Sequence, residues 1–128
     1  MQDEERAIIH ALLPVAWADG DFGEQEREMI RGLLEAYGAS EAESDEVFDR
    51  AKEKLGLDSI ELQELSAGDR RVVLAHAVTL TLADGIQHPA EHTFLDELAQ
   101  HLRIPAEEAK EVMTQAEARA KAHLSDLA

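Results

Sequence analysis

Cysteine is absent from the chain. That removes disulfides, zinc–thiolate sites, iron–sulfur clusters and cysteine nucleophiles together, and it fits a reducing compartment. Aromatic residues make up only 4% of the sequence, so a core has to be built from Leu, Ala, Val and Ile. Ala and Leu are strong helix formers, and the residues that favour strands are sparse. Positive charge is scarce as well: 12 Lys and Arg stand against 28 Asp and Glu, a formal net charge of −16. Such a surface repels nucleic-acid phosphates and anionic membranes. It favours cationic partners: metal ions, basic proteins or basic peptides. Simple solubility would explain the same excess of acid. No apolar run reaches the roughly 18 residues that a membrane span needs. The opening segment Met1-Gln2-Asp3-Glu4-Glu5-Arg6 is acidic, unlike the basic start of a signal peptide. The expected location is the cytoplasm.

What is present is enough for one domain. A chain of 128 residues, 45% of them hydrophobic, can bury a core and is not of disordered composition. Its clearest internal signal is a repeated tripeptide. Ala18-Asp19-Gly20 recurs as Ala83-Asp84-Gly85, an offset of 84 − 19 = 65. The same offset, without a gap, places Arg6 on Arg71, Glu26 on Glu91 and Leu33 on Leu98. It also places Glu43, Glu46, Val47 and Ala51 on Glu108, Glu111, Val112 and Ala116. Apolar class persists where identity is lost, as in Ile8 on Val73 and Ile30 on Leu95. One offset holding across three segments marks a tandem repeat of one structural unit, or at least of one pattern.

Each unit reads as three helices. The first is expected at about Asp3–Asp19, with Ile8, Ile9, Leu12, Leu13, Ala16 and Trp17 at helical spacing, and Pro14 should kink or divide it. The second spans about Glu24–Tyr37 and stops at Gly38 in a left-handed conformation. The third starts after Ser40, with Glu43 completing a capping box. It turns Val47, Phe48, Ala51 and Leu55 inward and ends at Gly56. The second copy repeats the pattern over about Ala67–Asp84, Pro89–Leu102 and Pro105–Leu124, with prolines suited to first helical positions. Residues Leu57–Leu65 are expected to form one more short helix. The fold class is therefore all-α: a helical bundle of two tandem three-helix units with approximate internal two-fold symmetry. It forms a single domain over 1–128, copy one about 1–57 and copy two about 66–128.

Candidate chemistry lies at the two turns between first and second helices. Both read Asp-Gly-x5-Glu: Asp19-Gly20 to Glu26, and Asp84-Gly85 to Glu91. The second half of an EF-hand loop has this form. The first half fails, because Val15, Trp17, Leu80 and Leu82 stand where oxygen ligands are required. Glu26 and Glu91 fall at the third position of a helix, where an acid is favoured by the dipole with no ligand at all. Asp19 and Asp84 fall at a helix C-terminus, where a negative charge costs roughly 0.3–1 kcal/mol. Either a structural partner or a hard cation held by Asp, Glu and turn carbonyls offsets that cost. The structural partner would be the backbone N–H groups of the next helix. Arg6 and Arg71 are expected to pair instead with acids on neighbouring helices. His88 and His92 stand four apart beside the second turn, a weak transition-metal pattern that capping and solvation explain as well.

These turns resemble the signature of the tellurite-resistance TerB-like family, which has two helical hairpins, each with Ala, Asp-Gly and a Glu near the start of the next helix. The resemblance covers essentially the whole chain. It implies a bacterial module of tellurite and chemical-stress resistance whose acidic residues bind a divalent cation, here Ca, Mg, Mn or Zn. Carried over, the metal ligands would be Asp19, Glu26, Asp84 and Glu91. Two features depart from the family turn. Gly23 and His88 stand where a capping Asp, Ser or Thr is usual, and copy two has Gln87 where copy one has Phe22. No nucleophile–base arrangement and no phosphate-cradling loop is visible, so the expectation is a non-enzymatic module. The alternative is an acidic protein-interaction module with structural turns, in which the acid run Glu41–Asp49 meets a basic protein partner.

Overall fold

Helix α1, Asp3–Ala16, begins where the Glu5 carboxylate accepts the Gln2 backbone N–H at 2.7 Å. Three acids in its first turn suit the positive end of the helix dipole. Ile8, Ile9, Leu12 and Leu13 are buried along one side. Pro14 does not divide the helix, which runs through it to Ala16. Proline removes only the bond to the His10 carbonyl, and it stands in the last turn, where no long segment follows to display a bend. The computed structural model describes residues 1–17, 23–81 and 89–127, with side chains outside 89–91 and 123–127.

Helix α2, Glu24–Ala36, buries Ile30 and Leu34. Its end is a Schellman turn: Gly38 has φ 71°, and the Gly38 and Ala39 N–H groups donate to the Glu35 and Leu34 carbonyls. Helix α3, Glu41–Arg50, carries the expected capping box, with Ser40 and Glu43 exchanging two hydrogen bonds. It stops well short of Gly56. The Trp17 indole N–H donates to the Ala51 carbonyl at 3.0 Å. A helix continuing through Leu55 would need that carbonyl for the Leu55 N–H, so the indole takes the place of the next turn.

The connector makes two short 3₁₀ turns, Leu57–Ser59 and Leu62–Glu64, in place of one helix. Ile60 and Leu65 between and after them are buried. The Arg70 guanidinium anchors this region by donating to the carbonyls of Leu62, Leu65 and Leu102 at 2.9, 3.2 and 3.3 Å. It thereby ties the connector to the far end of α5. No periodicity in the sequence reveals this role.

Helix α4, Ala67–Thr81, is capped by a reciprocal Ser66–Asp69 pair. Helix α5, Pro89–His101, starts on Pro89 as expected, and α6, Ala106–Leu127, starts one residue after Pro105. Among the described residues there are six α-helices and no strand. Helices α1 and α4 pack on each other at the centre, with α2 on α1, α5 and α6 on α4, and α6 on α5. Leu12, Leu13, Leu74, Leu98 and Leu102 are fully enclosed, each contributing roughly 1.5–3 kcal/mol.

Candidate cation-binding turns and neighbouring clefts

The side of the bundle away from the turns is held by two ion pairs. Arg6 of α1 donates to Glu43 of α3 at 2.9 Å, and Arg71 of α4 to Glu108 of α6. Both pairs were expected as arginines gripping neighbouring acids, and the two are related by the offset of 65. They fasten the start of α3 to the start of α1, and the start of α6 to the start of α4. Arg6 precedes the end of α1 by ten residues, about 15 Å along the axis, so it works far from the turn that follows.

At the turns the structure describes one expected ligand in full. Glu26 is the third residue of α2, half-exposed. Gly23, the residue before that helix, is extended at φ −80° and offers no side-chain oxygen to the first turn, unlike Ser40 before α3. Asp19 and Asp84 lie outside the described residues, as does His88. Glu91 is the third residue of α5, and its side chain lies outside them. Among the described residues no three His, Asp or Glu side chains converge as a metal would require. His92 is exposed and pairs along α5 with Asp96 at 3.7 Å.

A second polar feature was not foreseen from the sequence. His10 lines an open cleft of about 520 Å³ with Arg6, Arg50, Glu61 and Glu64. Its Nε2 is buried, with no hydrogen-bond partner among the described residues. Burial first, and the Arg50 charge second, hold its pKa below the ordinary 6.5. His76, facing the Tyr37 hydroxyl at 3.4 Å, is lowered by burial too. Only packing brings Arg50 and the connector acids to His10, so spacing along the chain carried no signal of this cleft.

Compared with known families, residues 1–116 match the family described as "Protein of unknown function (DUF533)". The chain belongs to this family. The match takes in all of α1 to α5 and the first half of α6, so the DUF533 unit includes both Asp-Gly-x5-Glu turns. Neither curated proteins nor solved structures give a match. No described helix is long and apolar enough to cross a membrane.

Proposed function

We propose that this DUF533 chain is a TerB-like, non-enzymatic module that binds a divalent cation at its Asp-Gly-x5-Glu turns, through Asp19 with Glu26 and Asp84 with Glu91. In this reading the chain is a duplicated three-helix unit, and its setting is bacterial resistance to tellurite and related chemical stress. The observation that carries the reading is the recurrence of the same turn at an offset of 65, each time following a first helix. Local charge supports it. Residues 19–26 contain Asp19, Asp21, Glu24 and Glu26 and no base, while Arg6 is engaged with Glu43 at the other end of α1. Clustered carboxylates beside the negative end of a helix are stabilised by a hard cation.

The test is thermal unfolding of chelator-stripped protein with Ca²⁺, Mg²⁺, Mn²⁺ or Zn²⁺, repeated on Asp19→Asn and Asp84→Asn. An ion that binds the native state raises the midpoint by mass action. The expected result is a shift at micromolar ion that either variant abolishes. If no ion acts and both variants equal or exceed the parent in stability, the aspartates are not ligands.

A second reading has its own observation. Glu41, Asp45, Glu46 and Asp49 form an exposed acidic side of α3, a surface suited to a basic protein partner. That partner would associate in a salt-sensitive way and give no ion-dependent stabilisation.

A further inference from the structure

Residues 52–61 form a strap that is anchored at its two ends. At one end the Trp17 indole N–H donates to the Ala51 carbonyl, and at the other the Arg70 guanidinium donates to the Leu62 carbonyl. Between these anchors, among the described residues, the backbone hydrogen bonds of the strap reach no further than three residues, as in Ser59 to Gly56 and Ile60 to Leu57. Its hold on the bundle rests on buried Ile60 and on half-buried Leu55 and Leu57. Short local bonds and few apolar anchors mark a segment that opens by itself, ahead of global unfolding.

Beneath the strap sits His10. A cavity of about 30 Å³ is lined by Ala7, His10 and Ala11 of α1 and by Ser59, Ile60 and Glu61 of the strap. A neutral ring tolerates a buried Nε2 without a partner, since its proton can sit on Nδ1. A protonated ring does not, because both nitrogens are then donors and a charged donor is left buried without an acceptor. Charges of both signs face the ring: Asp3, Glu4 and Arg6 from α1, Glu46 and Arg50 from α3, and Glu61 and Glu64 from the connector. Burial, and then Arg50, outweigh the attraction of Glu46 and Glu61, so the closed strap resists the proton. We propose that His10 is a proton-operated release for this strap: acid charges the ring, and the strap lifts from α1. Opening lets water reach Nε2 and costs mainly the burial of Ile60. Because the pKa is lowered from 6.5 in the closed form, the bias toward opening is absent well above that pH and grows as pH falls below it. The release lies apart from the Asp-Gly turns and stands or falls independently of cation binding.

The test is amide hydrogen exchange of the full chain at pH 7.5 and 5.5, corrected for intrinsic rates, beside an NMR titration of the imidazoles. As pH falls, exchange at Ser59 and Ile60 is expected to quicken several-fold more than exchange in α4. His10→Gln keeps a polar side chain at this half-buried position without a titrating charge. In that variant the strap is expected to respond to pH no more than α4 does. Arg50→Gln is expected to bring the His10 titration closer to 6.5 and to shrink the effect. A strap that loses no more protection than α4, or that responds equally in His10→Gln, would overturn the proposal. So would a His10 titration above 6.5 with slower strap exchange in acid, since Glu61 would then be capturing the charged ring and holding the strap down.

Discussion

Arg103 holds a left-handed backbone, φ 59°, immediately after α5 ends. The position 65 residues earlier is Gly38, at φ 71°. Both close a Schellman turn, since the Arg103 and Ile104 N–H groups donate to the Gln100 and Ala99 carbonyls as Gly38 and Ala39 donate to theirs. Glycine takes this conformation without strain, whereas a residue with a Cβ is penalised by roughly 1–2 kcal/mol. Arg103→Gly is therefore expected to stabilise the protein by about 0.5–1 kcal/mol, after allowing for the greater freedom of an unfolded glycine. Gly38→Ala is expected to cost about 1 kcal/mol, and because open space surrounds that position, the cost is conformational. Urea unfolding of the two variants checks both signs. Gly38 was legible in the sequence because glycine itself is the signal. Arg103 was not, since nothing about an arginine before Ile104-Pro105 announces φ > 0. At the same scale, His10 and His76 give a pH dependence. Both have pKa values lowered in the native state, so below about pH 6.5 the unfolded chain binds protons that the folded one resists. Stability is full above that pH and falls as pH drops through it. The unfolding midpoint is expected to decline between pH 7.5 and 5.5, and His10→Gln with His76→Gln is expected to flatten the decline.

One hydrogen bond caps the end of an element. Helix α3 has 10 residues and α6 has 22, although the offset aligns Ala51 with Ala116. At the end of α3 the Trp17 indole takes the Ala51 carbonyl. The same offset places Leu82 on Trp17, a side chain with no donor, and α6 runs on past Ala116. Trp17→Phe is expected to cost about 1–2 kcal/mol, because it leaves a part-buried carbonyl without its donor. Amide exchange at residues 47–52 should quicken beyond what the loss of global stability explains. An unchanged exchange pattern would show that the indole does not set the end of α3. The sequence made helix starts legible through Ser40 with Glu43, Ser66 with Asp69, and Pro89. It did not make this helix end legible, because the residue that ends α3 lies on α1, and periodicity along one segment cannot report a bond made from another. Arg70 is the same case: its three carbonyl partners lie on the connector and at the end of α5.

For the whole molecule, the all-helical class followed from what the chain has little of, and the interior of Ile9, Leu12, Leu74 and Leu98 matches the apolar positions spaced for helices. The candidate site was legible only as a pattern: Asp-Gly-x5-Glu twice, with a charge cost that asks for a partner. Residue types alone cannot separate a bound cation from backbone donors, since either satisfies a carboxylate. The excess of acid adds an effect of its own. A net charge of −16 opposes the compact state by self-repulsion, so added NaCl is expected to raise the unfolding midpoint gradually and without saturating at micromolar levels. Specific binding has to be read against that background, at constant ionic strength. The decisive measurement is a calorimetric titration of chelator-stripped protein with each divalent ion under that condition, beside the Asp19→Asn, Asp84→Asn double variant. A saturable isotherm for the parent that disappears in the variant is the predicted result. A parent that takes up no ion, or a variant that binds as the parent does, would contradict a cation site at the Asp-Gly turns.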